Sequence, residues 1–328
     1  MPSCLIVQPI HPSGIERLTA AGVDCRMASS ADMATVAREI VDCDAVITRN
    51  AGLDMAAITA ATRLQVIANH GIGTNKIAVA HATELAIPII FTPSANARSV
   101  AEHAIMLSLA VGKLLLPSDQ AVRSGDWDYR YQPGLQELFG KTLGIVGFGT
   151  IGRLTADIAS KGFGMRVVVH SPSAEDAMLA AHDAERCGTL DDLLAQSDVV
   201  SLHQPSRPDT RHLINARTLG VMRPTAILVN TARADLIDTA ALVAALEAGQ
   251  LAGAGLDVYD QEPLAADSPL RGLSRLVMTP HTAGGTDEAL KETAEQCADQ
   301  ILQVLAGNRP PHLVQPAVWE RRREPAVS

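Results

Sequence analysis

A glycine motif at the end of an apolar run constrains the fold of this 328-residue chain more than any other feature. The run Leu143–Val146 leads into the glycines, and a helix-forming stretch follows from Arg153. In such a motif the first glycine permits a tight turn, the second lets the backbone approach a pyrophosphate, and the third allows helix and strand to pack closely. The helix N-terminus offers amide N–H groups to the anion. The residues predicted to contact a dinucleotide here are Gly147, Gly149, Thr150, Ile151 and Gly152.

Short aliphatic runs recur along the whole chain with helix-forming stretches between them. This alternation predicts parallel sheets that helices cover on both faces. The length suits two domains, so we expect an α/β fold with two doubly wound parallel sheets, the second being a Rossmann-type cofactor domain. A long apolar helix over Ser99–Leu115 and a loop over Arg123–Gly134 separate them. The predicted strands are Cys4–Gln8, Asp44–Arg49, Gln65–Asn69, Pro88–Thr92, Thr142–Gly147, Met165–Val169, Asp198–Leu202, Ala226–Asn230 and Leu276–Thr279.

Charge and cysteine usage exclude several classes of partner. The chain has 27 Lys and Arg against 36 Asp and Glu, and the net charge of −9 argues against a nucleic acid or an anionic membrane. The five cysteines lie far apart without metal-binding spacing, which predicts buried thiols and no metal site. We expect no signal peptide and no membrane span, because long apolar runs are missing. The expected location is the cytoplasm.

The strand that follows the glycine motif ends in Val169-His170-Ser171-Pro172-Ser173. NAD enzymes usually carry a carboxylate there, about twenty residues after the glycines, which binds the adenosine ribose. Its absence removes the repulsion of a ribose 2′-phosphate, but the Arg that commonly binds this phosphate is also missing, with Arg207 as the only substitute considered. The cofactor is therefore NADP or NAD, with a slight lean to NADP through Ser171 and Ser173. His170 is placed either at the adenine edge or as an indifferent residue.

Three polar residues, Arg233, Glu262 and His281, follow strands of the second unit, at the sheet edge where ligands bind. Hydride transfer to a ketone builds negative charge on oxygen, and a His with an ordinary pKa of about 6.5 both gives and takes a proton near neutrality. We expect His281 to be the acid/base and Glu262 to hold its other ring N–H. Arg233 offers a planar fork for the carboxylate and keto oxygen of a 2-oxo acid.

In this order, behind a dinucleotide motif, the three residues resemble the D-isomer-specific 2-hydroxyacid dehydrogenase family. The resemblance includes Thr92–His103 and Leu242–Gly255 and favours the phosphoglycerate dehydrogenase-like branch, without its regulatory C-terminal domain. It implies an NAD(P)-dependent enzyme that transfers a hydride between the cofactor and a small 2-oxo or D-2-hydroxy acid. Hydroxypyruvate, glyoxylate and phosphoglycerate-like compounds all fit, so the substrate within the class stays open.

The resemblance also implies contacts outside these motifs. Asp257 is expected at the nicotinamide carboxamide, with Pro205 and Thr231 as further cofactor contacts. The segment His70–Asn75 is similar to a glycine turn whose N–H groups bind the substrate carboxylate. Its matching positions are Ile72 and Gly73.

Two residues of the first unit invite comparison with the family pattern. Arg49 resembles a substrate-facing Arg, the alternative being a surface Arg. The family often has Asp-Asn-Ile-Asp where this chain has Asn75-Lys76-Ile77-Ala78, so we expect the following helix to lack a side-chain cap.

The family architecture implies a discontinuous first domain. A C-terminal helix, here about Asp287–Ala306, completes the N-terminal unit. We therefore expect a flavodoxin-like substrate domain of residues 1–97 and 288–328 and a cofactor domain of residues 98–287, with the substrate in an interdomain cleft. Members commonly form homodimers through the cofactor domains, and we expect the same here.

Two other functions are compatible with parts of the sequence. A relative that senses NAD(H) as a binding protein can keep the three polar residues without turnover, and rates with a panel of 2-oxo acids separate it from an enzyme. Oxidation of formate or phosphite is the second alternative. Formate dehydrogenases carry Gln where this chain has Glu262, which argues against formate.

Overall fold

The computed structural model describes residues 1–323, and the chain divides into two compact units. Unit 1 combines Met1–Asn96 with Gly285–Ser328, and unit 2 is Ala97–Gly284. Residues 324–328, which the sequence assigns to the first domain, lie outside the described residues.

Strands and helices alternate through both units. The strands are β1 Ser3–Ile6, β2 Asp24–Met27, β3 Ala45–Thr48, β4 Val66–Asn69, β5 Ile89–Ile90, β6 Thr142–Val146, β7 Arg166–His170, β8 Ala184–Arg186, β9 Val199–Leu202, β10 Ile227–Asn230, β11 Gly253–Leu256 and β12 Leu276–Met278. The α-helices are α1 Pro12–Ala20, α2 Met33–Glu39, α3 Met55–Ala60, α4 Val79–Glu84, α5 Ala97–Gly112, α6 Leu115–Ser124, α7 Thr150–Asp157, α8 Asp176–Ala180, α9 Leu190–Gln196, α10 Ala216–Leu219, α11 Thr239–Glu247 and α12 Asp287–Leu305.

Unit 1 is built on a five-stranded sheet in the order β2-β1-β3-β4-β5, with every pairing parallel. Successive residues of β1 enter opposite cores, Leu5 on one face and Cys4 and Ile6 on the other. The helix α12 packs against α1 and against strands β4 and β5 of this sheet. Burial on both faces explains why these strands read as continuous aliphatic runs.

Unit 2 holds a seven-stranded parallel sheet in the order β12-β11-β10-β9-β6-β7-β8. The chain runs outward from β6 to β8 and then returns to β9 on the other side of β6. This reversal of strand order is the switch point at which open α/β sheets bind ligands. The predicted pair of doubly wound parallel sheets is confirmed.

Three strands do not follow from aliphatic patterning. β2 and β8 are edge strands whose residues are largely exposed, so they lack apolar runs. β11 is buried but reads Gly-Ala-Gly-Leu, because α5 packs directly on it. A Cβ on Gly255 would lie 2.8 Å from Leu107 Cβ, so the close approach of helix and strand requires glycine.

The predicted helix over Ser99–Leu115 is α5, which ends at Gly112 and is followed by α6. The predicted loop over Arg123–Gly134 contains the end of α6 and a 3₁₀ turn at Trp127–Tyr131. Among residues 1–323 no single helix is long and apolar enough to cross a membrane. The bent pair α5 and α6 satisfies length and composition together, with a 54° bend, but α5 lies against β10 and β11.

In unit 1, α4 differs from α2 and α3 in its N-terminal cap. Asp32 and Asp54 accept hydrogen bonds from the first turns of α2 and α3, at 3.1 Å and 2.8 Å. The N-cap of α4 is Ala78, whose side chain makes no such bond, so the predicted loss of the cap is confirmed. The predicted C-terminal helix is also confirmed as α12.

Candidate active site

The glycine turn of unit 2 leaves room for a pyrophosphate. Gly147 has φ +92°, and a Cβ there would lie 2.8 Å from the carbonyl oxygen of His203, so only glycine fits. At Gly149, the N-cap of α7, nothing lies within 4 Å of an added Cβ. The first N–H groups of that helix, from Thr150 and Ile151, have no intrahelical acceptor. The geometry fits a bound dinucleotide, with anionic phosphates at these amides.

The two serines predicted to contact the adenosine ribose follow the end of β7. Ser171 is buried, Ser173 is exposed, and His170 lies 3.4 Å from the Cys187 carbonyl through Nδ1. Arg207 is exposed, and its guanidinium makes no hydrogen bond to the side chains and backbone of residues 1–323.

A cation that the sequence interpretation missed lies beside this loop. Arg186 on β8 donates to the carbonyl oxygens of Ala174, at 2.5 Å, and Ser171, at 3.5 Å. Its guanidinium also pairs with Asp176. Arg186 was missed because β8 was not predicted, and β8 is the parallel neighbour of β7 that brings this residue to the loop.

His281 and Glu262 form a hydrogen-bonded pair. The Nδ1 atom of His281 lies 3.0 Å from both carboxylate oxygens of Glu262. The backbone N–H of Tyr259 donates to Glu262 Oε1 at 3.3 Å and so orients the carboxylate. His281 is 39% exposed in its side chain. Because Glu262 occupies Nδ1, the Nε2 atom is the one left to exchange a proton with a ligand.

Arg233 follows β10 on a loop that Asn230 holds from both sides. The Asn230 amide donates to the Arg233 carbonyl at 2.8 Å and accepts from the Ala232 N–H at 2.9 Å. Burial lowers the pKa of the Arg233 guanidinium, and the charges of Asp235 and Glu262 oppose this shift. Its guanidinium donates to the Ala232 carbonyl at 2.6 Å, and most of its N–H groups have no acceptor among residues 1–323. A half-buried guanidinium with free donors suits an anionic ligand.

Asp257 is fully buried and holds the loop that carries His281. Its Oδ1 accepts from the Thr279 hydroxyl at 2.6 Å and the Thr282 N–H at 2.8 Å. Its Oδ2 accepts from the Ala283 N–H at 2.9 Å. Three donors therefore occupy the carboxylate that the resemblance places at a nicotinamide.

Two further polar atoms of unit 2 bear on the predicted cofactor contacts. The Thr231 hydroxyl is buried without a hydrogen-bond partner among residues 1–323, so a ligand would satisfy it. The Pro205 carbonyl accepts from the Thr210 hydroxyl at 3.0 Å, which fixes the loop after β9. No group of three His, Cys, Asp or Glu side chains in the described part of the chain is arranged to hold a metal ion.

The predicted substrate residues of unit 1 follow its central strands. Thr48 pairs in register with Asn69, so Arg49 and His70 are the next residues on adjacent strands. Arg49 donates to the Pro9 carbonyl at 2.6 Å, and burial lowers its pKa. It forms no ion pair with a carboxylate among residues 1–323.

The turn after His70 is open. Ile72 and Gly73 are exposed, and within residues 1–323 neither backbone N–H has an acceptor. Burial and the Arg49 charge lower the pKa of His70 to about 4, and its Nε2 is shielded from solvent without a partner among the same residues. The sequence interpretation did not single out this imidazole.

A dinucleotide turn, a His–carboxylate pair and a guanidinium with free donors, all in unit 2, define a nicotinamide-dependent oxidoreductase of carbonyl and hydroxyl compounds. Comparison with known proteins gives the family. The sequence profile described as "D-isomer specific 2-hydroxyacid dehydrogenase, NAD binding domain" matches residues 105–283.

Similar proteins cover most of the chain. A glyoxylate reductase of Korarchaeum cryptofilum is 36% identical over 291 residues, 88% of this chain and 87% of that protein. A D-3-phosphoglycerate dehydrogenase of Mycobacterium tuberculosis is 35% identical over 96% of this chain, which spans 59% of that longer protein. The NADPH-dependent glyoxylate/hydroxypyruvate reductase of Sinorhizobium meliloti, solved with NADP and malonate, superposes with a TM-score of 0.85 at 26% identity over 99% of each chain.

The chain belongs to the D-isomer specific 2-hydroxyacid dehydrogenase family. It is an NAD(P)-dependent dehydrogenase that interconverts 2-oxo acids and D-2-hydroxy acids, which confirms the predicted class and cofactor type.

Proposed function

We propose that the chain reduces a small 2-oxo acid of the glyoxylate or hydroxypyruvate kind, with His281 as the proton donor. The observation that carries this proposal is the hydrogen bond of His281 Nδ1 to Glu262, 3.0 Å from both oxygens, which leaves Nε2 for the substrate. The named activities of similar proteins, a glyoxylate reductase and a glyoxylate/hydroxypyruvate reductase, support the substrate class.

Each residue of the trio has a distinct role in this proposal. Glu262 accepts a hydrogen bond from Nδ1 and holds the imidazole ring in place, and His281 Nε2 gives its proton to the carbonyl oxygen as negative charge develops there. The free N–H groups of Arg233 bind the carboxylate and the keto oxygen, which aligns the carbonyl. The bound nicotinamide supplies the hydride. In the reverse direction His281 takes the hydroxyl proton.

Unit 1 is proposed to contribute groups that bind the substrate. The N–H groups of Ile72 and Gly73 lack acceptors among residues 1–323 and suit a carboxylate. Arg49 supplies a positive charge that no carboxylate of the same described residues neutralises. Binding of the anion by these groups would offset the cost of leaving them unpaired.

For the cofactor we propose that NADPH is accepted at least comparably to NADH. Ser171 and Ser173 present hydroxyl groups and no carboxylate at the ribose end of the site. Arg186 beside this loop and the exposed Arg207 supply positive charge for a phosphate, although Asp176 already pairs with Arg186. The buried Thr231 hydroxyl, Asp257 and Pro205 complete the proposed contacts.

We propose that the chain forms a homodimer in the cytoplasm. Large apolar side chains are exposed between residues 115 and 139, which supports a contact with a second copy of the chain. Sedimentation of the wild type and of Trp127→Asp tests this, with a dimer and a weakened dimer expected. The five free thiols favour a reducing compartment.

The Arg233→Lys variant tests the proposed function. An ammonium group does not reproduce the two-pronged contact, so kcat/KM for the best oxo acid should fall about 10- to 100-fold, through a lower kcat and a higher KM. Arg211→Lys, at an exposed position, is the matched control and should leave the rates unchanged. Unchanged kcat and KM in Arg233→Lys would contradict the assignment.

A further inference from the structure

A series of partly buried hydrogen bonds connects α5 to the loop of His281. His103 on α5 places Nε2 2.9 Å from the Thr279 hydroxyl oxygen and 3.6 Å from Asp257 Oδ1. The Thr279 hydroxyl lies 2.6 Å from the same Asp257 oxygen. All three side chains belong to unit 2. The sequence interpretation gave no role to His103 or Thr279.

The direction of these bonds follows from the donors that are present. A carboxylate only accepts, so the single hydroxyl proton of Thr279 is donated to Asp257. The hydroxyl oxygen then accepts from His103 Nε2–H, which fixes the tautomer of that ring. Burial lowers the pKa of His103 while the Asp257 charge opposes this shift, in agreement with a neutral donor. The donor and acceptor of each hydrogen bond from His103 through Thr279 to Asp257 are thus assigned.

The Asp257 carboxylate binds the loop on both sides of His281. Thr279 precedes His281 by two residues, and Thr282 and Ala283 follow it. His281 itself has φ +54°, a left-handed conformation that a non-glycine residue adopts at a cost, and its N–H donates to the Thr279 carbonyl at 3.0 Å. The buried anion therefore maintains a backbone conformation that the residue would not choose alone.

Tyr259 ties the loop to the Glu262 side of the pair. Its hydroxyl donates to the Thr279 carbonyl at 2.8 Å, and its backbone N–H donates to Glu262. Burial raises the pKa of this phenol to about 12, so it remains a donor through the neutral range. Both partners of the His281–Glu262 pair are thus attached to one framework.

We propose that Thr279 and His103 are positioning residues for proton transfer, acting through Asp257 on the loop that carries His281. This inference rests on the proposed function, in which His281 is the proton donor. Without the Thr279 hydroxyl, Asp257 Oδ1 loses one of its two donors and His103 loses its acceptor. The loop should then sample other conformations, and the imidazole should spend less time in the reactive position.

The test compares Thr279→Val with Thr279→Ser. The first variant has nearly the same shape without the hydroxyl, and the second keeps the hydroxyl. We expect kcat for the best oxo acid to fall about tenfold in Thr279→Val, with the KM for the oxo acid and the Kd of the reduced cofactor within about twofold of wild type. Thr279→Ser should recover kcat to within about threefold.

A control variant with a similar loss of stability tests whether a weakened fold alone lowers kcat. Thr189 caps α9 through a 3.1 Å bond from the Asp192 N–H and has no contact with the loop, so Thr189→Val lowers stability without changing kcat.

Substitutions of His103 give a second, independent test. His103→Gln keeps an amide donor for Thr279, whereas His103→Ala does not. In the double variant of His103→Ala and Thr279→Val, kcat should match that of Thr279→Val alone, because both changes break one chain.

Three results would overturn the proposal: kcat of Thr279→Val within twofold of wild type, an equal loss in Thr279→Ser, or a parallel loss of cofactor affinity. The last result would show that Thr279 acts on the cofactor contact proposed for Asp257 and not on the loop that carries His281. Failure of the proposed function is a separate outcome, because His281→Ala would then keep its rate whatever Thr279 does.

Discussion

At the carboxyl edges of the two sheets, the polar groups differ in whether the protein itself supplies their hydrogen-bond partners. In unit 2 the Glu262 carboxylate is bound by His281 and by the Tyr259 N–H, and the Asp257 carboxylate is bound by three donors. The residues proposed for proton transfer are therefore held by hydrogen bonds within the protein. Preorganised groups of this kind need no rearrangement when charge develops.

In unit 1 the corresponding edge has polar groups without partners among residues 1–323. The N–H groups of Ile72 and Gly73 and the Nε2 of His70 are in this state, and Thr92 has a buried hydroxyl without a partner. Arg49 meets only a backbone carbonyl. Unpaired groups cost free energy, so they are expected where a ligand completes them. This difference supports the proposal that unit 2 supplies the proton-transfer groups and unit 1 supplies groups that bind the substrate.

The largest effect should come from His281→Ala, which removes the proposed proton donor from unit 2. We expect kcat to fall about 10²- to 10⁴-fold, since this is the usual contribution of a general acid or base. The Kd of the reduced cofactor, measured by fluorescence titration, should stay near wild type because the glycine turn is intact.

His81→Ala is the control for this variant, because the His81 ring bonds to Thr59 on the surface of unit 1. It should retain wild-type rates. Near wild-type turnover in His281→Ala would show that this residue has no part in the mechanism. It would also contradict the proposal that unit 2 supplies the proton-transfer group.

A smaller effect, and on a different kinetic constant, is expected from Arg49→Gln in unit 1. Loss of a charged hydrogen bond to the substrate should raise KM for the oxo acid about tenfold while kcat stays within about threefold. Arg38→Gln changes an exposed Arg of the same unit and should alter neither constant. If KM of Arg49→Gln is unchanged, Arg49 is a surface residue and unit 1 recognises the substrate without it.

The smallest effect concerns the cofactor. Ser171→Asp should shift the preference toward NADH about fivefold to tenfold, because a carboxylate repels the 2′-phosphate and accepts from the ribose hydroxyls. Salt screening limits the size of the shift at this site. The measurement is kcat/KM for NADH and NADPH in both proteins. Strong selectivity of the wild type for NADH would show that a residue other than Ser171 rejects the phosphate.

Sequence patterns predicted those parts of the fold that rest on burial and special backbone geometry. Gly147 and the aliphatic strands follow directly from such requirements, and so does the missing cap at Ala78. β8 escaped prediction because an exposed edge strand needs no apolar run, and with it Arg186 was missed. His103 was missed for a different reason: its partner Thr279 is distant in sequence, and only the packing of α5 on the second sheet brings them together.

The site was predictable to the extent that single residues carry recognisable chemistry. Arg233, Glu262 and His281 follow strand ends, and the structure pairs the last two. The hydrogen bonds that fill the Asp257 carboxylate come from two backbone N–H groups as well as Thr279. Backbone donors leave no signature in the residue types, so these hydrogen bonds could not be predicted from the sequence and follow only from the three-dimensional structure.

The most direct measurement is the initial rate of NADH and NADPH oxidation by the wild-type protein across a panel of 2-oxo acids. Glyoxylate, hydroxypyruvate, 3-phosphohydroxypyruvate, sulfopyruvate and larger oxo acids belong in the panel. The account predicts turnover with at least one of them and NADPH accepted comparably to NADH. A protein that binds the cofactor tightly but oxidises it with none of the acids would contradict the account and would be a binding protein of the same fold.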